Sequence, residues 1–413
     1  MDFKKSLLWP VVVVMLMVAG CAGRQTFKTL DIPEDEMRAY LSNKPEVLKP
    51  AYRRLAEEGK RNVVLNRMRV GLDAYQLGYK DYATEAFAKA LADIEVIYAG
   101  DKTAAKARSL WYEEGMKDFK GEPYERAMAY YYRGLLLLEK GDYENARAAF
   151  KSGVIQDAFA EEEQNRCDFA LLIFLQGWAS QMAGDSGLAK AAYKELRKLR
   201  PDFDVPSGSN VLIIIETGKS PRKLADGPGH GELKFRRGRN FSEKRVETSI
   251  DSSMFFGIYP LEDIFWQASS RGGRMVDKIV QGKASFRQTH EKIGTTLTDV
   301  SSAALLSSPL FGSSSEVQIA GAALGLIGVA EMVMAARARP HADTRYWDNL
   351  PDTVHMFPLT LPAGQHRIAL RFRDENGNIA HDLSKELNFD VDGNKAKIIW
   401  IRSRQQLSIP NNS

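Results

Sequence analysis

The sequence predicts an α+β chain of several domains. An N-terminal α-helical region with tetratricopeptide-like repeats precedes a mostly antiparallel β region, which carries an apolar, glycine-rich helix. Three observations predict this. Residues 122–201 repeat a helix–turn–helix pattern with fixed spacing of small and aromatic residues. The last 60 or so residues alternate apolar and polar side chains between turn signals. Between these regions, Val317–Ala336 is small and apolar, with Gly321, Gly325 and Gly328 inside it. The expected organisation is a signal segment over 1–20, a helical domain over 21–205 and a β-rich domain over 206–413, with the apolar helix at 317–336 inserted.

The first segment reads as a bacterial lipoprotein signal. Lys4 and Lys5 give a basic start, Ser6 to Gly20 is apolar apart from Pro10, and Val18-Ala19-Gly20-Cys21 closes the run. The apolar part is shorter than the roughly 20 residues a spanning helix needs. Cleavage after Gly20 leaves Cys21 as the lipid attachment site, acylated with palmitate-type chains; the alternative is an uncleaved anchor helix. Stable anchoring takes more than one chain, at about 0.8 kcal/mol per buried methylene. Ala22 follows the cysteine, and this favours the outer membrane of a Gram-negative cell, facing the periplasm.

At 413 residues the chain is long enough for two or three domains with cores of their own. Its formal charge is +4. Cleavage removes Asp2, Lys4 and Lys5, one net positive charge, and leaves +3. That balance is too small to imply nucleic acid as a partner. With Cys21 carrying lipid, Cys167 has no second cysteine to pair with. Its neighbours Phe169 and Leu171 read as those of a buried thiol.

One helical unit runs from about Ala127 to Ala160, with the turn Gly141-Asp142-Tyr143 between its helices. Gly134 on its first helix precedes Ala146 on its second by twelve positions, and Phe150 follows four later. The next unit repeats this spacing with Gly177, Ala189 and Tyr193 around the turn Gly184-Asp185, and Pro201 stops it. The small pairs let antiparallel helices approach closely, while glycine then aspartate suit a helix end followed by a helix start. Tyr75, Leu77, Tyr82, Ala86, Phe87 and Ala90 give a third, degenerate helix–turn–helix without a clean alignment. Glu161-Glu162-Glu163 falls between the clear units and reads as a solvated face or loop. Such an array either presents a surface to a partner protein or peptide, or packs only against the C-terminal half.

The pattern changes after Pro201. Asp204–Ser209 is a linker, and Val211–Ile215 reads as a buried strand. Residues 218–231 read as a Gly/Pro loop, with strands near Glu232–Phe235 and Met254–Ile258. Val354–Leu361, His366–Arg373, Leu387–Val391 and Ala396–Ile401 follow as a meander, with turns at Pro362-Ala363-Gly364, Asn376-Gly377 and Asp392-Gly393-Asn394. They predict a small antiparallel sandwich. The 317–336 segment has glycine spacing like a membrane helix, but Gln318 and Glu331 sit inside it. It reads as a buried or interface helix, a membrane helix or an apolar arm. Lys234, Arg236, Arg237, Arg239, Lys244 and Arg245 form a basic patch, set either for anionic lipid or polysaccharide or on a solvated strand face.

No catalytic or metal signature is present in the sequence. Glu216-Thr217-Gly218-Lys219-Ser220 resembles the end of a phosphate loop, but Ile213 stands where its first glycine is required. The six histidines are scattered, and neither HExxH, GxSxG nor CxxC occurs. The expectation is a non-enzymatic protein without a cofactor or metal.

The stretch Phe119-Lys120-Gly121-Glu122-Pro123-Tyr124-Glu125-Arg126, with Tyr132 and Gly141-Asp142-Tyr143, resembles a family of uncharacterised bacterial outer-membrane lipoproteins with tetratricopeptide-like repeats. Two later stretches fit that resemblance. One is Glu216 to Lys223; the other is Asp343-Thr344-Arg345-Tyr346-Trp347 with Leu350-Pro351 and Leu361-Pro362-Ala363-Gly364. Residues 301–330 depart from the pattern. The resemblance implies an outer-membrane lipoprotein, often encoded near envelope lipoproteins linked to secretion pores or to activators of peptidoglycan synthesis. It brings no catalytic residues. The chemistry of 119–126 alone accounts for a helix end and a new helix start, with Gly121 then Glu122, Pro123 and Glu125. The functional alternative places Tyr124 and Arg126 on a partner-docking tip. The expectation is thus an envelope scaffold anchored in the membrane by its N-terminal lipid, with an envelope protein as partner. The alternatives are an export or surface-assembly accessory and a peptidoglycan-associated regulator.

Overall fold

The structure, a computed structural model, describes residues 29–99, 118–157, 168–205, 208–226, 232–270, 343–393 and 395–408. Gly20, Cys21, Cys167, the run 161–163, the 227–231 glycines and the 317–336 segment lie outside the described residues.

The helices come first. Helix α1 (Glu34–Leu41) leads into α2 (Lys49–Gln76) and α3 (Lys80–Ala99). Then follow α4 (Pro123–Glu139) with α5 (Tyr143–Asp157), and α6 (Ala170–Met182) with α7 (Ser186–Leu199). The pairs α2/α3, α4/α5 and α6/α7 are hairpins closed by turns of three residues. Each hairpin is made by the same contact. A Cβ added at Gly134 would lie 2.2 Å from the Phe150 ring, and one at Gly177 would lie 2.6 Å from Tyr193. The first hairpin does the same with Gly71, whose added Cβ would lie 2.9 Å from Phe87. Ala83 lies twelve positions after Gly71 and Phe87 four after that, the register of the other two units. Gly71 and Ala83 supply the alignment that Tyr75, Leu77, Tyr82, Ala86, Phe87 and Ala90 alone do not give.

The strands form three sheets. Four strands line up as β10 (Lys397–Arg402), β1 (Val211–Thr217), β7 (Thr353–Leu359) and β6 (Glu262–Asp263). A second sheet orders β5 (Phe256–Ile258), β4 (Arg245–Ile250), β8 (Gly364–Arg373) and β9 (Lys385–Val391), all antiparallel. The third is the hairpin β2 (Arg222–Asp226) and β3 (Glu232–Arg236). A short helix, α8 (Ile264–Ser269), follows β6, capped by the Asp263 carboxylate on the Trp266 N–H at 3.0 Å.

Strand β1 organises the molecule because both of its faces are buried. Val211, Ile213 and Ile215 pack with Val246, Ile368, Leu370 and Phe372 of the second sheet. Leu212 and Ile214 join the core of the helices, with Trp347, Val354 and Met356. An all-apolar β-branched run is what a strand buried on two sides requires. The helical layer thus packs on the C-terminal half, and strands and helices share one apolar cluster.

Several expectations change. The sandwich is not wholly antiparallel, since β1 and β10 run parallel. The last two strands are not a hairpin: β9 pairs with β8 and β10 crosses to the other sheet. Trp400 and Ile398 reach the helical core while Ile399 and Ile401 face the sandwich, so β10 needs cover on two sides. The supposed loop 218–231 contains β2, whose polar sequence hid it, and β4, β6 and α8 were likewise unforeseen. The basic patch is partly consumed: Arg237 pairs with Asp263 at 2.6 Å and with Asp352, and the Lys244 Nζ lies 4.0 Å from the Phe241 ring centroid.

Candidate functional site

The stretches that carried the family resemblance lie far apart in sequence and meet in space. Gly121 turns the chain with φ +72°, and Glu122 and Glu125 form a capping box at the start of α4, with Pro123 in the first turn. The Glu125 Oε2 accepts the Glu122 N–H at 2.7 Å and the Lys223 ammonium at 2.9 Å. Its Oε1 accepts the Trp347 N–H at 2.7 Å. The Trp347 carbonyl in turn accepts the Ser220 hydroxyl at 2.7 Å. Lys223 also lies 3.3 Å from Glu122. Phe119 has cations near its ring, with the Lys223 Nζ at 5.3 Å and the Arg345 guanidinium at 5.4 Å.

Segment 343–350 runs over the helices as an extended ligand of its own chain. Arg345 donates to the Asn62 Oδ1 at 2.7 Å and to Asp343 at 2.7 Å. Asp348 accepts from Arg69 at 2.8 Å, and the Asn349 amide donates to Asp73 at 2.7 Å. Trp347 is buried, with its ring 6.0 Å from Phe87 and 5.8 Å from Tyr132. The same alignment that shapes the hairpins therefore brings Phe87 to a second duty.

Beside this joint sits Glu216 at the end of β1. Its Oε1 accepts from the Tyr131 hydroxyl at 3.0 Å and the Trp400 indole at 2.9 Å. Its Oε2 accepts from the Tyr132 hydroxyl at 3.0 Å and lies 3.2 Å from Arg402. Burial pushes the carboxyl above its ordinary range, against the pull of Arg402 and the neutral donors. A carboxylate has about four acceptor positions, and four donors fill them here. Such a group has no lone pair free for a substrate; it joins the helical layer to the sheet. Glu243 does similar work, accepting from Arg404 at 2.7 Å, the Ser403 hydroxyl at 2.8 Å and the Gly218 N–H at 3.2 Å.

Tyr124 and Arg126 are not on a docking tip. They are 1% and 3% exposed. The Tyr124 ring meets Phe235 edge-on at 6.1 Å, while Arg126 donates to the Gly121 carbonyl at 2.7 Å and the Gln156 Oε1 at 2.8 Å. The 119–126 stretch folds inward because its charges find partners inside.

The most exposed large apolar side chains lie elsewhere. Met254 is 89% exposed, Tyr259 88% and Trp266 55%, along the chain from the β4–β5 turn to α8. Met254 lies just before β5 and not in it, and Tyr259 and Trp266 leave no trace in strand or helix periodicity. Among the described residues no group of three or more His, Cys, Asp or Glu is placed to hold a metal, and no helix is long and apolar enough to cross a membrane. The chain matches no family model, no curated protein and no solved structure.

Proposed function

We propose that the chain is a lipid-anchored envelope protein that binds a protein partner and does not transform it. Acylation at Cys21 would hold it at the outer membrane. In this reading the helical hairpins are tetratricopeptide-like, and α2, α3 and α4 hold the chain's own segment 343–350. The observation that carries the reading is that occupation. Trp347, Arg345 and Asn349 pack on α2, α3 and α4; if these hairpins form a repeat array, its peptide surface is taken by the chain itself, and the exposed Met254, Tyr259 and Trp266 are left for the partner. Exposed Tyr and Trp are the side chains that most often anchor a protein interface. The saturated carboxylates Glu125 and Glu216 are joints in this account, not acids or bases.

The test is recovery of partners from membranes with the full-length lipidated protein. A specific envelope protein is expected with the wild type and is lost with Tyr259→Ala/Trp266→Ala. Failure of the wild type to recover any specific protein overturns the reading.

A further inference from the structure

Strand β10 has an outer edge that is long and apolar. Parallel pairing uses the main-chain groups of alternate residues. The Lys397 N–H donates to the Asn210 carbonyl at 2.8 Å and the Ser403 N–H to the Glu216 carbonyl at 2.8 Å, with Ile398 opposite Leu212 and Trp400 opposite Ile214. Lys397, Ile399 and Ile401 therefore turn their main-chain groups to β1. Ile398, Trp400 and Arg402 turn theirs outward, where no strand among the described residues pairs with them. Ile398, Ile399 and Trp400 stay partly open to water, whereas Leu212, Ile213 and Ile214 beside them on β1 are 0% exposed.

An open edge is a template for pairing with another chain, and folds commonly blunt it by shortness or charge. The other edge strands here are blunted. Strand β5 has three residues and β6 has two. Strand β9 carries Lys385, Glu386 and Asp390, and β2 and β3 are charged along their length. Strand β10 runs for six residues, with Ile398 and Trp400 on the helical core and Ile399 and Ile401 on the sandwich. A strand that completes this edge must be apolar on both faces. Among the edge strands described, only β10 itself has that character.

We propose that a second copy of this chain completes the edge, with the two β10 strands antiparallel about a two-fold axis at Trp400. Outward groups then meet outward groups. Trp400 faces Trp400 of the other copy and Ile398 faces Arg402, which closes about six main-chain hydrogen bonds. The antiparallel sense places Lys395 and Lys397 opposite Gln405 and Ser403, so like charges do not meet. The Trp400 ring keeps its own partners, Tyr75 at 4.5 Å and Glu216 at 2.9 Å. Both strands are already extended, so association needs little ordering. The inference goes beyond partner binding at Met254, Tyr259 and Trp266 and uses other residues.

It is tested by sedimentation equilibrium of the full chain in density-matched detergent, with hydrogen exchange read at the Ile398 and Trp400 amides. The wild type is expected to be a dimer in which both amides exchange slowly, and faster on dilution. Ile398→Pro removes an outward donor and leaves the ladder to β1 intact. Ile398→Lys keeps the backbone and sets a cation opposite Arg402, and it carries the test if the proline variant unfolds. Each change enters a symmetric interface twice, so each is expected to weaken the dimer at least about tenfold. A wild-type monomer overturns the proposal. Fast amides in that monomer would leave the edge to water or to a different protein, and slow ones would assign its cover to the chain's own residues. A dimer that neither variant weakens overturns it as well.

Discussion

The Lys223 ammonium lies 2.9 Å from the Glu125 carboxylate, and both side chains are shut off from water. A buried ion pair contributes little over an apolar pair of the same shape, but breaking one is costly. Glu125→Ala strips the acceptor from Lys223, the Trp347 N–H and the Glu122 N–H, and is expected to destabilise by about 3–5 kcal/mol. Lys223→Met leaves Glu125 with two backbone donors and is expected to cost less. Urea unfolding of the two single variants and the double variant measures the coupling. Losses below about 1 kcal/mol in both single variants would remove this joint from the account.

The hairpin contacts give a second test. Gly134→Ala would place a methyl 2.2 Å from the Phe150 ring, inside atomic contact. Overpacking of this kind costs about 1–3 kcal/mol, and Phe150→Leu in the same chain is expected to recover part of it. Gly141→Ala meets open space, but its φ of +78° costs about 1–2 kcal/mol in the left-handed region. Only the first substitution should be rescued at Phe150; equal rescue of both would show that the close approach is not what Gly134 provides.

Glu262 predicts a pH dependence. Its carboxyl is buried and accepts from the Leu171 N–H at 3.2 Å and the Gln267 amide at 3.1 Å, with Arg200 3.5 Å away. Burial outweighs Arg200 and pushes it up to about 8. The folded chain therefore binds this proton more tightly than the unfolded chain does, and stability falls as pH rises from about 4.5 to about 8. Glu262→Gln keeps an acceptor oxygen and cannot ionise. Thermal unfolding across that interval should show a shallower slope for the variant and greater stability above pH 8; identical slopes would place the ionised form inside the fold at no penalty.

His366 works in the same sense, but through its partners instead of burial. Its Nδ1 lies 2.7 Å from the Asp251 carboxylate and its Nε2 lies 2.9 Å from the Pro362 carbonyl, so acceptors face both nitrogens. The Asp251 hydrogen bond, then the carbonyl, hold the ring above its ordinary value. A raised folded value contributes stability in full below about pH 6.5, and the contribution is lost as pH rises through the folded value. Asp251 sits at φ +49° in the β4–β5 turn, so the imidazolium also holds a strained residue. Imidazole proton resonances should titrate above 6.5 in the wild type and shift down towards the ordinary value in Asp251→Asn, where the Pro362 carbonyl remains.

Part of this architecture was legible from single residues. The Val211–Ile215 run has no polar face, so it required cover on two sides, and the structure puts a sheet on one side and helices on the other. The twelve-then-four spacing from Gly134 to Phe150 and from Gly177 to Tyr193 described contacts within one hairpin, and local contacts leave a local trace. Gly71, Ala83 and Phe87 carry the same trace and were available to be read. Strand β2 left none, because its buried residue is a lysine, and a lysine is inward only when a carboxylate waits for it.

The sequence by itself determined the two hairpins around Gly141 and Gly184, and that the β1 run is buried. Those follow from residue size, backbone freedom and apolar period, which act over a few turns of chain. Only the tertiary structure decided that β10 crosses to run parallel to β1, that Tyr124 and Arg126 face inward, and that segment 343–350 occupies the helical surface. Most of these contacts join a charge or ring to a partner some 100 residues or more away, as with Glu125 and Trp347, and no local pattern encodes where such a partner will be.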